Sequence, residues 1–209
     1  MQTRSRLTKN LFEAKQIRSF DPNETPVVFI SYRHVYCDTQ MARQCAEILE
    51  VTSGLHYWFD EEDECLANAQ SEISDINIAT CIEKGLDAAS ALLGIIGPGT
   101  FDSPWISYEI GGARGRQSFS KNFTASPPDP HPLIAHLIHD TDISNAPDFV
   151  SLGIPLQCLC EVEQWAKYIV EMLKPIPLYE NILTKTQRLQ DHYGIKEIYE
   201  RNTRHLRYR

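Results

Sequence analysis

The sequence predicts an α/β fold built on a parallel β-sheet, and three observations support this prediction. Short apolar runs alternate along the chain with longer segments whose apolar residues recur at helical spacing. The first run, residues 27–31, is apolar without alternation, which is typical of a strand buried on both faces. Helical segments of 10–15 residues separate the strands, as in βαβ units, whose strands run parallel.

Five short apolar runs are predicted to be strands. They occupy residues 27–31, 56–60, 92–96, 133–138 and 155–160. The third run ends at Gly97-Pro98-Gly99, a sequence typical of a tight turn. The second is followed by an acidic stretch, residues 61–75, which is predicted to be a loop.

Four segments show the periodicity of helices with one apolar face. They occupy residues 39–51, 76–89, 103–117 and 161–173. The third begins Ser103-Pro104, where serine is a favourable N-cap and proline fits the first helical position. Residues 178–209 are polar and helix-prone, which predicts a helical extension outside the core. The expected organisation is an N-terminal extension (1–24), one domain (25–174) and a basic C-terminal extension (175–209).

Composition and charge exclude several classes of protein. With 42% hydrophobic residues among 209, the chain can bury an ordinary core. Its net charge is −8, with basic ends and an acidic middle, and phosphate contacts need clustered Lys and Arg, so nucleic acid is disfavoured. No apolar run approaches the roughly 18 residues that span a bilayer, and the start lacks the apolar region of a signal peptide. We therefore expect a cytoplasmic protein without a membrane partner.

Six cysteines are scattered along the chain, without a CxxC pair or a histidine partner at metal-ligand spacing. Their positions are 37, 45, 65, 81, 158 and 160. This pattern favours small buried thiols of a reduced cytoplasmic protein and predicts no metal site.

Polar residues follow the ends of the predicted strands. Residues 31–34 follow the first strand, Asp60 ends the second, and Trp105 and Glu109 lie four apart on the helix after the third. Ligands of parallel sheets bind beyond the carboxyl ends of the strands, so these residues are expected to converge. An aromatic plate beside a carboxylate can hold a flat ring and stabilise a positive charge. The chain contains neither GxGxxG after the first strand nor GxxxxGK[ST], which disfavours Rossmann hydride transfer and P-loop hydrolysis.

The motifs FISYRH, WFD and SPWxxxE, in this order and with a Gly/Pro turn after the third strand, resemble the Toll/interleukin-1 receptor (TIR) domain. The resemblance covers about residues 25–173. It implies a flavodoxin-like five-stranded parallel sheet with helices on both faces, and residues 61–75 as the so-called BB loop. This stretch lacks the glycine usual in that loop, which leaves its conformation and its assembly contacts open.

Enzymatic TIR domains cleave the nicotinamide–ribose bond of NAD and use a glutamate four residues after a tryptophan. The resemblance therefore implies that Glu109 is catalytic and that Trp105 encloses the rings of NAD. It also implies that Tyr32 and Arg33 border the nicotinamide pocket. Ser31 and Asp60 complete the expected substrate-binding set. NAD is the expected substrate, and no cofactor or metal is required.

A single-domain chain of this kind resembles the bacterial Thoeris-type anti-phage TIR proteins. That implies conversion of NAD into ADP-ribose or a cyclic ADP-ribose-derived signal, which a separate effector protein receives. It also implies activation by self-association or a phage-derived trigger. Two alternatives remain open. One is a non-enzymatic TIR adaptor module, and the other is an enzyme like nucleoside deoxyribosyltransferase, whose glutamate attacks C1′ of a sugar.

Each candidate residue also has a structural interpretation. Trp105 would then be a core aromatic that anchors its helix, and Glu109 an acid on the helix surface. Arg33 would pair with Asp38 or Asp60, and Asp60 would cap a strand end.

Overall fold

A five-stranded, all-parallel β-sheet runs through the protein. The computed structural model describes residues 25–63, 66–68, 75–115, 131–141, 150, 153–174 and 181–204. The strands are β1 (Val27–Ser31), β2 (His56–Trp58), β3 (Ala91–Ile96), β4 (Ile134–Ile138) and β5 (Ile154–Leu156). Their order is β2-β1-β3-β4-β5, and each neighbouring pair is parallel. The predicted α/β fold with flavodoxin-like strand order is confirmed.

Helices cover both faces of this sheet. They are α1 (Tyr36–Val51), α2 (Asp75–Ala88), α3 (Pro104–Gly115), α4 (Leu159–Leu173), α5 (Ile182–His192) and α6 (Ile195–Thr203). Helices α1 and α4 contact each other, and so do α2 and α3, while α1, α2 and α3 each also contact β1. Strands β1, β3, β4 and β5 are buried along their whole length, which explains their continuous apolar sequence.

The predicted C-terminal extension is helical, as α5 and α6 show, but the expectation that it lies outside the core is wrong for residues 181–204. Leu189, Ile195 and Ile198 are buried in the same apolar cluster as the sheet. Helix α6 lies along β5, where the Asn202 side-chain amide donates to the carbonyl of Pro155 (2.8 Å). β5 is an edge strand, where a proline is tolerated, and α6 packs against it.

The strand bounds differ from the prediction most at the ends of β2 and β5. Strand β2 ends at Trp58, and Asp60 begins a short 3₁₀ turn, Asp60–Glu62. Strand β5 ends at Leu156, and residues 159–160 already belong to α4. The prediction extended the strand too far because leucine and cysteine occur in both strands and helices. Residues 1–24 and parts of 61–75, including 69–74, lie outside the described residues.

The cysteines differ from the expected set of reduced, buried thiols. Cys158 and Cys160 are joined by a disulfide, and Cys81 is also disulfide-bonded. Cys45 is a buried free thiol, whereas Cys37 is exposed. Sequence spacing alone does not decide such pairing, because it depends on which Cα atoms the fold brings close.

No helix in the described part of the chain is long and apolar enough to cross a membrane.

Candidate active site

The candidate site lies where the strand order of the sheet reverses, between β1 and β3. Ser31 ends β1, the turn Gly97-Pro98-Gly99 follows β3, and α3 begins at Pro104. In open parallel sheets this reversal opens a crevice at the carboxyl ends of the strands, where ligands bind.

A buried carboxylate forms the centre of this region. The Ser31 hydroxyl donates to Glu109 Oε2 at 2.5 Å, which joins the end of β1 to α3. Glu109 is only 8% exposed. Burial raises the pKa of Glu109 to about 7; the Ser31 hydrogen bond opposes the rise, and the charge of Asp60 adds to it. The carboxyl group therefore changes its charge close to neutral pH.

Beside Glu109, Tyr32 and His34 form a second cluster with Asp60. The Tyr32 hydroxyl donates to Asp60 Oδ1 at 2.5 Å, and His34 Nε2 bonds to Asp60 Oδ2. The Tyr32 and His34 rings stack at 5.1 Å between centroids. Burial raises the pKa of the Tyr32 hydroxyl, so it stays protonated, and the Asp60 hydrogen bond raises the pKa of His34. Tyr32 is buried, whereas the His34 side chain is 57% exposed.

Arg33 is held in the wall of the site by contacts within the chain. Its Nη2 donates to the carbonyl of Pro98, and its Nε lies 3.4 Å from Oδ2 of the fully buried Asp38. Asp38 in turn lies 3.0 Å from His139 Nε2, just beyond β4. Gly99 has a φ of +74°, and a Cβ there would lie 2.5 Å from Arg33 Nη1. The pairing with Asp38 is one of the two structural alternatives, and this turn serves packing around Arg33.

Trp105 lies at the surface and not in the core. It is 42% exposed, and its ring meets Tyr108 edge-on at 5.9 Å. Among the described residues no ring contact joins Trp105 to Tyr32. The structure thus brings together Ser31, Tyr32, Asp60 and Glu109, places Arg33 in the adjoining wall, and leaves Trp105 as an exposed aromatic one turn before Glu109.

Sequence reasoning missed the part that His34 plays. His34 lies in the FISYRH motif, but no role was assigned to it. Its pairing with Asp60 follows from the parallel register of β1 and β2, which has no local sequence signal. His139 could have been found by the rule that polar residues after parallel strands gather at one edge, since it directly follows β4.

Chemically, the cluster offers a buried carboxylate, a hydroxyl that orients it, and an exposed imidazole held by a second carboxylate. Within the described residues no group of His, Cys, Asp and Glu is arranged to hold a metal ion. Comparisons with protein-family models, with curated proteins and with solved structures find no match to this chain. Inferences about its activity therefore start from the sequence motifs and this geometry.

Proposed function

We propose that this protein is a TIR-like enzyme that cleaves the nicotinamide–ribose bond of NAD. The observation that carries the proposal is Glu109, buried against Ser31 at the reversal point of the sheet. Among the described residues this carboxylate is hydrogen-bonded to Ser31, and it is only 8% exposed to solvent. It is therefore suited to a cationic ligand.

Breaking the nicotinamide–ribose bond needs little more than this carboxylate. The C1′–N bond breaks, nicotinamide leaves as a neutral molecule with the bonding electron pair, and no general acid is required. The ribosyl centre becomes oxocarbenium-like, and Glu109 stabilises that charge as glycosidase carboxylates do. The cationic nicotinamide ring of bound NAD favours the ionised form of Glu109, because an opposite charge nearby lowers the pKa of an acid.

The surrounding residues take supporting roles in this proposal. The Ser31 hydroxyl holds one oxygen of Glu109 in a fixed orientation. Trp105 supplies an exposed aromatic face on which a ring of NAD can stack. Tyr32 and Asp60 form the floor below His34, and Arg33 shapes the wall.

The product and its purpose extend the proposal by analogy with TIR enzymes, and analogy alone supports them. The product would be ADP-ribose or a cyclic ADP-ribose-derived signal. A separate effector would receive it during bacterial anti-phage defence. An enzyme that consumes cytoplasmic NAD needs control, so self-association or a phage-derived trigger would activate it.

The direct test is nicotinamide release from NAD, followed by chromatography with mass spectrometry of the products. Dilute protein, concentrated protein and protein with lysate of phage-infected cells would be compared. Glu109→Gln should lower release by about 10²–10³-fold under every condition, while Glu163→Gln, which removes an exposed carboxylate on α4, should not. Turnover that survives in folded Glu109→Gln protein would contradict the catalytic assignment.

A second candidate function is an interaction module, because Trp105 and Tyr108 present an exposed aromatic pair on α3. That function predicts no nicotinamide release under any condition, together with self-association that Trp105→Ala weakens. Incubation with deoxynucleosides separates both candidates from the deoxyribosyltransferase alternative, since only that enzyme would release a free base from them.

A further inference from the structure

The His34–Asp60 pair lies beside Glu109 and has the arrangement of a general base. We infer that His34 is the catalytic residue that takes the proton from the nucleophile attacking C1′ of NAD. This assignment rests on the proposed function and adds to it a base for the second half of the reaction. Tyr32 and Asp60 act through His34 and are positioning residues.

The hydrogen bond between His34 and Asp60 fixes which nitrogen can act. A carboxylate accepts hydrogen bonds and donates none, so His34 Nε2 carries a proton toward Asp60 Oδ2. The lone pair of the neutral ring then lies on Nδ1. More than half of the His34 side chain is exposed, so a protic nucleophile can reach the ring.

Packing holds the pair in place from below. The buried ring of Tyr32 stacks against His34 and tilts against Phe59 at 5.4 Å. The Tyr32 hydroxyl occupies the second oxygen of Asp60, so both oxygens of that carboxylate are engaged. An imidazole on such a support keeps its orientation, as a base requires.

Charges from two sides act on this imidazole. Asp60 and Glu61 lie on the turn after β2, and Glu109 lies on α3; all three favour the protonated ring. The imidazolium that forms when His34 takes a proton is therefore stabilised. Glu109 is less suited to that step, because a protonated Glu109 no longer stabilises the cationic sugar.

Hydrolysis needs water as its only second reactant. The C1′–N bond breaks first, and its electron pair leaves on neutral nicotinamide. Water then attacks C1′ through its oxygen, and its proton passes to His34 Nδ1. The products are ADP-ribose, nicotinamide and an imidazolium that later returns the proton to solvent. A ribose or base nucleophile of the same NAD would lose its proton in the same way.

A nucleophile without a proton provides the sharpest test. A pyridine base such as 3-acetylpyridine attacks C1′ through its ring nitrogen and needs no base. His34→Gln should therefore slow hydrolysis by about 10²-fold or more, yet exchange nicotinamide for the pyridine near the wild-type rate. Glu109→Gln should lose both reactions, and His192→Gln, at an exposed site on α5, should lose neither.

Each outcome bears on the assignment. Equal loss of hydrolysis and exchange in His34→Gln would make His34 a binding residue, and full retention of both would make it a bystander; either overturns the inference. Wild-type protein that neither hydrolyses nor exchanges overturns the proposed function itself. An NMR titration of the His34 ring checks the pair independently of NAD. Asp60→Asn should lower the pKa of His34, and an unchanged titration contradicts the pairing.

Discussion

Glu109 and Glu161 are both buried glutamates on helices that follow strands, yet the chain surrounds them differently. Glu161, on α4, is 4% exposed. Its carboxylate accepts hydrogen bonds from the Gln157 backbone N–H (2.6 Å), the Asn202 side-chain amide (3.0 Å) and the Arg201 guanidinium. Glu109, on α3, is 8% exposed, and among the described residues Ser31 supplies its hydrogen bond. An ionised carboxylate can accept about four hydrogen bonds, so only Glu161 is close to saturated.

This difference separates a structural carboxylate from one suited to a ligand. Three donors, one just before α4 and two on α6, stabilise the charge of Glu161, and through it α6 is tied to α4. In the described part of the chain Glu109 has the Ser31 hydroxyl as its donor, and burial raises its pKa, so its charge is less well stabilised. Groups of this kind concentrate at functional sites, where a substrate supplies the missing interaction.

The largest expected effect is on catalysis at Glu109. Glu109→Gln keeps the size of the side chain but removes the charge that faces the developing cation. We expect NAD turnover to fall by about 10²–10³-fold, the usual effect of losing one such electrostatic contact. Steady-state nicotinamide release measures this effect, with circular dichroism to show that the variant is folded.

The largest expected effect on stability is at Glu161. Glu161→Ala removes the acceptor of the Gln157 backbone amide and of Arg201, and one of the two acceptors of the Asn202 side chain. This should lower the free energy of unfolding by about 2–4 kcal/mol. Glu163→Ala, an exposed neighbour on the same helix, should change it by less than about 0.5 kcal/mol. Urea unfolding compares the two, and similar midpoints would show that Glu161 is not the structural member of the pair.

Removing the charge of Glu109 should change stability in the opposite direction to removing Glu161, and only at high pH. The pKa of Glu109 is raised from an ordinary 4.5 to about 7, so the folded state keeps a proton that the unfolded state loses. The free energy of unfolding therefore falls as pH rises between these values. At pH 8 Glu109→Gln should be more stable than wild type, by at most on the order of 3 kcal/mol. Equal melting temperatures at about pH 4, below the pKa of the unfolded state, and a gap at pH 8 would bear this out.

A third buried titratable group acts on the acid side. His136 on β4 is fully buried, its ring nitrogens have no hydrogen-bond partner among the described residues, and burial lowers its pKa from 6.5 to about 3. The unfolded state then binds a proton that the folded state excludes, so stability is lost as pH falls below 6.5. We expect His136 alone to cost about 1–2 kcal/mol between pH 7 and pH 5. Because Glu109 acts in the opposite direction over this range, the test uses the Glu109→Gln background. There the urea midpoint should fall with pH when His136 is present and stay constant after His136→Gln.

The smallest stability effect is expected at Trp105. Because the side chain is 42% exposed, Trp105→Ala should lower the free energy of unfolding by only about 1 kcal/mol. If the ring stacks on NAD, KM should rise in Trp105→Ala and largely recover in Trp105→Phe. A strong loss of stability with an unchanged KM would assign Trp105 to packing.

The sequence was sufficient for the elements of the site but not for its contacts. Ser31 and Glu109 could be placed at one edge because each follows a strand or opens the next helix. Their hydrogen bond spans 78 residues, and the Asp60–His34 pair depends on the register of β1 and β2, so no local pattern reports either. The packing of α6 was missed for a related reason: its few apolar residues among charged ones are typical of a solvated helix.

The cover that α6 provides for β5 also bears on how this chain can be shortened. Asn202 is fully buried and bonds the Pro155 carbonyl, so the last helix is part of the sheet's boundary. A truncation at residue 174, the domain boundary predicted from the sequence, would expose the backbone hydrogen-bonding groups along β5. An unprotected edge of this kind recruits strands from other molecules, and the shortened protein would aggregate through it. The C-terminal helices thus protect the protein against edge-to-edge association.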